Sequence, residues 1–340
     1  MITYFVNKDN IEDNASIQLE NLSNDKNISD VVVFPDIHYA SNKSIPVGVA
    51  FKSDKIYPLV SGKDTGCGVG YMTISKKNII KQFDKDKYYK ALYKNHLSIS
   101  DEGLGGGNHF LSLEEDNKNL YIIVHTGTRN LGIHWYQKNL KILSEFGNED
   151  YFTKEFLDKN YPTWFKEYDN LLKYSVKRRK EFLDGTLSFL VRNKNVKNGK
   201  YDINDSIHNY VNKENGYYVH RKGATGLNGP VIVPVSMLRG CLIVDSSYDG
   251  GNLNSCAHGA GRIMSRSKTL KHWLSMKKSQ RKKYEKRFSE LLVNGKFNIN
   301  QIQEFDFAYK NIDNFFEEQP FIYKISETIP ICTIKFSEVR

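Results

Sequence analysis

From Leu120 to Val124 the chain reads Leu-Tyr-Ile-Ile-Val, with no charged or small residue, and the run stops at His125-Thr126-Gly127-Thr128-Arg129. A strand of this kind has no polar face to offer water, so it needs a sheet covered on both sides. The Tyr121–His125 strand is joined by other short apolar runs at Val31–Phe34, Val47–Phe51, Val69–Ile74, Tyr217–His220, Val231–Val235 and Leu242–Val244, linked by glycine-rich turns. Phe110 to Leu113 alternates in the same way. Helical periodicity falls over Asp84–His96, Leu131–Phe146, Thr163–Arg192, Arg262–Met276 and Lys278–Val293. Strands and helices in this number permit an α+β fold of mixed sheets and surrounding helices, with the chemistry at the strand ends, but do not by themselves identify it. Residues 1–340 read as a single domain able to bury one large core. The charged, aromatic segment from Asn148 to about Lys200 (148–200) reads as a helical insertion.

The turns carry the reactive residues. Asp64-Thr65-Gly66-Cys67-Gly68 puts a carboxylate and a thiol on one glycine-rich turn. A thiolate is a soft ligand able to bridge two divalent ions, and a carboxylate adds a harder oxygen. Three histidines lie in comparable settings: His109 follows Gly105-Gly106-Gly107-Asn108, His125 ends the buried strand, and His208 sits in Ile207-His208-Asn209-Tyr210. Singly, these read as a buried structural cysteine or satisfied core histidines; as a set with Asp64 they read as a metal centre. His258 differs in kind. Ser255-Cys256-Ala257-His258-Gly259-Ala260-Gly261-Arg262 surrounds it with small residues that let a bulky substrate approach. A basic helix is expected to begin at once, with Arg262 and Arg266 at its N-terminus to hold phosphate oxygens. That is a nucleophile's setting, since an imidazole nitrogen can attack an activated phosphorus when cations neutralise the developing charge.

Taken in order, Pro35-Asp36-Ile37-His38, Asp64 to Gly68, Gly105 to Phe110, His125 to Gly132, His208-Asn209, Arg221-Lys222-Gly223-Ala224-Thr225, Ser236-Met237, His258 to Arg266 and Ala308-Tyr309-Lys310 resemble the motifs of the RtcB-type RNA-splicing ligases. With Lys335 included, the resemblance covers nearly the whole chain. It implies that family's own α+β fold, with a metal and nucleotide cleft at strand ends. It also implies ligation of an RNA 3'-phosphate or 2',3'-cyclic phosphate end to a 5'-hydroxyl end, using GTP and two manganese (Mn2+) ions, in RNA repair or tRNA splicing. Carried over by position, it implies Asp64, Cys67, His109, His125 and His208 as metal ligands, with Cys67 bridging, and His258 as the histidine that takes GMP. Asn108, Ser236, Tyr309 and Lys335 would surround the nucleotide, and Arg262, Arg266, Arg129 and Lys222 would meet nucleotide or RNA phosphates. An archease-type activating partner and a monomeric state belong to the same set of expectations.

The chain departs from the family pattern in the base pocket. Ser112 stands where the family has a glutamate that reads the guanine edge, and Glu114, on the same strand face, is the expected substitute. Val235-Ser236-Met237-Leu238 replaces a Gly-Ser-Met-Gly segment, Cys241 replaces a serine, and Phe336 to Arg340 extend past the usual end. These changes leave open a manganese-dependent 3'-end nucleotidyl-capping enzyme, a phosphodiesterase, or a non-catalytic RNA-binding protein.

The net charge is +10, and Gly261 to Glu290 alone holds eleven Lys or Arg against two acidic residues. Such a run reads either as a solvated helix face or, beginning at the His258 motif, as a track for an RNA backbone. Trp273, Tyr284 and Phe288 within it read as core anchors or base-stacking platforms. Four cysteines without CxxC spacing suit a reducing compartment. No apolar run approaches the roughly 20 residues that span a bilayer, so the expected location is cytoplasmic, with no membrane partner.

Overall fold

The Leu120–Val124 run is covered on both sides, as its composition demands. In the computed structural model, which describes residues 1–40, 45–82, 84–88, 90–92, 103–147, 150–248, 250–291 and 299–335, the run lies in β6 (Asn119–Thr126). That strand is the centre of a five-stranded antiparallel sheet, ordered β15 (Ile329–Ile334), β5 (Phe110–Glu115), β6, β4 (Gly68–Ser75), β7 (Asp202–Ile207). Leu120, Ile122 and Val124 point into a core with Phe182 and Leu183 of the helix Trp164–Arg192. Tyr121 and Ile123 point the other way, onto Ile232 and Ile243. Fully burying each such aliphatic side chain contributes about 1.5–3 kcal/mol, which is why neither face of the strand tolerates a polar residue.

A second five-stranded sheet has the order β1 (Ile2–Tyr4), β2 (Ile28–His38), β3 (Val47–Ser53), β9 (Tyr217–Lys222), β8 (Asn209–Glu214). Only β1 runs parallel to its neighbour. One face of this sheet, with Val31, Val33 and Phe51, packs on Leu19 and Leu22 of the helix Asp13–Ser23. Its other face, with Val32, Phe34 and Ala50, packs on a three-stranded sheet of β11 (Val231–Ser236), β12 (Gly240–Ser246) and β14 (Ile322–Glu327). That small sheet is itself two-faced: Val231, Val233 and Val235 meet the β1–β8 sheet, while Ile232 and Ile243 meet β6. The ribbon β10 (Ala224–Gly226) with β13 (Ser255–Ala257) completes the inner layer. The architecture is therefore α+β, with helix, sheet, small sheet, sheet and helix stacked in turn.

Several elements differ from the sequence expectation. The strand expected to end at Phe34 continues through Pro35 to His38, with a register shift after Val33. The helix expected from Arg262 begins at Arg266, because the Ser265 hydroxyl caps it by accepting from the Lys268 N–H at 3.3 Å. Arg262 instead forms an isolated bridge with Tyr309. Trp273 and Phe288 are buried, and Tyr284 stacks on Phe305, so these aromatics anchor the basic helices Arg266–Ser275 and Lys278–Leu291 to the core. The helix expected at Asp84–His96 is helical at 85–88 and 90–92. Asp84 precedes it, and residues 89 and 93–96 lie outside the described residues, as do residues 148 and 149 of the expected insertion, residues 292 and 293, and residues 336–340. All four cysteines are free and buried, and no helix among the described residues is long and apolar enough to cross a membrane.

Candidate functional site

Strand register gathers Cys67, His109, His125 and His208 at one end of the β15–β7 sheet. Gly68 pairs with both Thr126 and Ile207, and Phe110 pairs with His125. Cys67 stands one residue before Gly68, His109 one before Phe110, and His208 one after Ile207, so all reach the same edge. His208 is also where the chain leaves β7 and enters β8, crossing from one large sheet to the other. Its N–H donates to the Cys67 carbonyl at 2.9 Å, and the Gly66 N–H donates to the Asn209 carbonyl at 2.8 Å, so the crossing is fixed to the Asp64–Cys67 turn.

The side chains converge. Cys67 Sγ lies 3.4 Å from His109 Nε2 and 3.3 Å from His125 Nε2, and His109 Nε2 lies 2.9 Å from Asp64 Oδ2. The His125 and His208 rings are 5.1 Å apart, and the His208 and His258 rings 4.6 Å. Cys67, His109 and His125 together could hold one metal ion, and Asp64 and His208 adjoin them. Hydrogen bonding alone leaves the cluster under-satisfied, because the buried Asp64 Oδ1 has no partner among the described residues. Burial pushes His125 and His208 well below the ordinary histidine value, keeping their lone pairs free. Burial, helped by the Asp64 carboxylate, pushes the Cys67 thiol well up, so a nearby cation is what would ionise it. Burial opposes ionisation of Asp64 too, but the His109 hydrogen bond and neighbouring imidazoles bring it down to about 2. A thiolate, a carboxylate and imidazoles at these separations fit a divalent transition metal. Gly127 makes the fit possible, because a Cβ there would lie 2.0 Å from Asp64 Oδ1.

Beneath this cluster lie two arginines to which the sequence assigned no role. Arg179, fully buried in the helix Trp164–Arg192, grips Asp205 with Nε at 2.6 Å and Nη2 at 2.7 Å. Its Nη1 donates to the carbonyls of Gly66 and Thr126, both at 2.9 Å, joining the Asp64–Cys67 turn to the end of β6. Arg178 donates to Thr126 Oγ1 at 2.9 Å, to the Gly127 carbonyl at 2.8 Å, and to the Gly103 carbonyl. The helix is thus the platform on which the Asp64–Cys67 turn and the end of β6 are set.

His258 is held by Asp36, another residue without an assigned role. Its Nδ1 contacts Asp36 Oδ2 and lies 2.8 Å from the Gly223 carbonyl, while its backbone N–H donates to the same Oδ2 at 3.2 Å. A carbonyl can only accept, so Nδ1 carries the proton and Nε2 keeps its lone pair. Burial opposes protonation of the ring, but the Asp36 charge and hydrogen bond and the Gly223 carbonyl outweigh it and raise His258 above its ordinary value. Asp36 is 1 % exposed, and Gly48, with φ of 85°, lets the chain pass it: a Cβ there would meet Ile37 N at 2.6 Å and Asp36 Oδ1 at 2.8 Å.

Both centres open into one cavity of about 610 Å³, a volume suited to a nucleotide-sized ligand. Asn108, Lys222 and Arg262 line it beside Asp64, Cys67 and His258. Burial brings Lys222 down to about 8, so it remains largely cationic at neutral pH. Farther along the wall, Lys335 Nζ pairs with Glu304 Oε1 at 3.0 Å, Tyr309 donates to Glu304, and the Arg262 guanidinium lies 4.9 Å over the Tyr309 ring. Ser236 also lines the cavity, donating to Asp306, which pairs with Arg287 at 3.0 Å. Glu114 reaches the same wall. Its carboxylate accepts from Ser112 at 2.8 Å, from Thr328, and from the Cys241 thiol at 3.8 Å, and burial raises its pKa. Arg129 is set apart from this lining, with its guanidinium against the Gly105 backbone beside His109. Arg266 starts its helix; its side chain lies outside the described residues.

Residues 95–336 match the family model described as tRNA-splicing ligase RtcB. Among curated proteins, the chain is 29% identical over 299 residues to an Escherichia coli protein named RNA-splicing ligase RtcB2, covering 76% of this chain and 74% of that protein. It is 28% identical over 271 residues to one named RNA-splicing ligase RtcB1, also from Escherichia coli, covering 73% of this chain and 64% of that protein.

Proposed function

Because the chain belongs to the RtcB family, we propose that it is an RNA ligase that joins a 3'-phosphate or 2',3'-cyclic phosphate end to a 5'-hydroxyl end through guanylylated His258. The observation that carries this reading is the His258 tautomer. Asp36 and the Gly223 carbonyl both claim Nδ1–H, which leaves Nε2 as a nucleophile beside the metal-type cluster.

The steps follow from what each residue can do. His258 Nε2 attacks the α-phosphorus of GTP, and pyrophosphate leaves. As the ring gains charge, the Asp36 carboxylate stabilises it and keeps its plane aimed, the role of the buried carboxylate in a catalytic triad. Asp64, Cys67, His109, His125 and His208 would hold the divalent ions, manganese by the family resemblance, and such ions supply Lewis-acid charge to phosphate oxygens. Arg262 and Lys222, as cavity-lining cations, neutralise phosphate on the protein's own account. The guanine ring is assigned to the wall formed by Tyr309, Lys335 and Glu304, with Glu114 supplying the carboxylate that Ser112 lacks. A 2',3'-cyclic end is first opened by water, which breaks the bond from phosphorus to O2' and leaves a 3'-phosphate and a 2'-hydroxyl. GMP then passes to the RNA 3'-phosphate, and the 5'-hydroxyl displaces it.

The test is ligation of a 3'-phosphate RNA strand to a 5'-hydroxyl strand with GTP and manganese, comparing the protein with His258→Ala. Joined product from the first and none from the second supports the reading. Joined product from both sinks it, and a 3'-capped RNA that persists beside a 5'-hydroxyl strand would replace it with a capping activity.

A further inference from the structure

Four histidines line the cavity, and three are accounted for: His125 and His208 belong to the metal-type cluster, and His258 takes GMP. His38, the last residue of β2, is the fourth. Resting on the ligase reading, we propose that the part of the cavity walled by His38, Glu12, Tyr39 and Val47 receives the 5'-hydroxyl terminus of the RNA, and that His38 Nε2 takes the hydroxyl proton as the strands are sealed.

Stereochemistry carries the argument. His38 Nδ1 lies 2.8 Å from the Asp36 carbonyl oxygen. That oxygen only accepts, so Nδ1 is the protonated nitrogen and Nε2 has the free lone pair. No residue among those described hydrogen-bonds Nε2. Asp36 thus sets two histidines in the same tautomer, His258 through its carboxylate and His38 through its carbonyl, and both residues line one cavity. The pairing of His38 with Val47 across β2 and β3 fixes its backbone beside Val47 in the wall, and the Nδ1 hydrogen bond to Asp36 holds the ring.

The charge state suits a base. Burial lowers His38 below the ordinary histidine value, against the opposing pull of Asp36 and Glu12, and the His258 charge lowers it further. A neutral imidazole near pH 7 is the form that accepts a proton. The course of the reaction separates the two histidines' duties. In-line displacement sets the entering oxygen opposite the departing GMP, so the hydroxyl proton goes to a base other than His258, which carried the GMP. In the step itself, the 5'-oxygen forms a bond to the 3'-phosphorus, the bond from that phosphorus to the bridging oxygen of GMP breaks, and the electron pair leaves with GMP. The hydroxyl proton moves to His38 Nε2 and then to water.

The experiment uses RNA already carrying a 3'-guanylylated end, mixed with a 5'-hydroxyl strand under single-turnover conditions across pH, alongside adduct formation on His258 from GTP. His38→Gln is expected to slow sealing about 100- to 1,000-fold and to remove the acid limb from its pH profile, with His258 adduct formation close to that of the parent protein. His38→Asn, whose amide reproduces the hydrogen bond to the Asp36 carbonyl, is expected to be equally slow. Sealing by His38→Gln at the parent rate overturns the proposal, as does recovery of sealing in His38→Asn, or a proportional loss of adduct and sealing. If the parent protein neither takes GMP nor seals the activated RNA, the ligase reading fails and the proposal falls with it.

Discussion

Replacing Asp36 by Asn isolates what holds the nucleophile. The exchange is isosteric, so the close passage of Gly48 is undisturbed, but an amide in place of Oδ2 can donate to Nδ1 and invite the tautomer with Nε2 protonated. In a Ser-His-Asp triad this change lowers turnover by about 10,000-fold. Here the Gly223 carbonyl, 2.8 Å from Nδ1, still favours the productive tautomer, so part of the alignment survives. The expected loss in guanylylation rate is about 100- to 1,000-fold, or roughly 3–4 kcal/mol. A second signature accompanies it. Asp36 raises the His258 pKa, and Nε2 attacks only when the ring is neutral, so the parent protein loses rate as pH falls through that raised value. Asp36→Asn removes the raising charge, and its acid limb moves to lower pH while its plateau falls. Rapid-quench measurement of labelled GMP on His258 from pH 5.5 to 9 reads both quantities. An unchanged plateau, or an acid limb displaced upward, would refute the account of Asp36.

Other changes probe the frame. Gly127→Ala places a Cβ where Asp64 Oδ1 now lies; titration with manganese or cobalt should show affinity lowered by about 10- to 100-fold, with the thermal transition little changed. Arg179→Leu strands Asp205 and the carbonyls of Gly66 and Thr126, and denaturant unfolding should register a loss of about 3–5 kcal/mol. Glu114 has a folded pKa raised by burial, so its contribution is greatest below the unfolded value and is lost as pH rises through the folded one. Glu114→Gln should therefore gain stability relative to the parent as pH goes from 5 to 8, read as the difference in thermal midpoints.

The metal-type residues were legible because their chemistry contradicts their surroundings: Cys67, His109 and His125 interrupt glycine turns at the ends of apolar strands, where no packing need explains them. Their convergence is a matter of register, and the pairings Gly68–Thr126 and Phe110–His125 are tertiary facts. Arg178 and Arg179 belong to no motif, yet their phase on the helix is itself a signal. They fall on the same buried stripe as Leu171, Ser175, Phe182 and Leu183, where a charged residue is out of place unless it is fully paired. Asp36 stood in a conspicuous motif, but its partner is 222 residues away, a distance no local pattern spans. The basic helix starts at Arg266 and not at Arg262 because positive charge does not begin a helix, whereas Ser265 has capping chemistry.

The central claim is that His258 is the covalent nucleophile. Incubation with manganese and each α-labelled nucleoside triphosphate in turn, followed by mass mapping of modified peptides, tests it directly. The account predicts a GMP adduct on the peptide bearing His258, absent from His258→Ala and nearly absent from Asp36→Asn. An adduct on another residue, or none with metal bound, would contradict it.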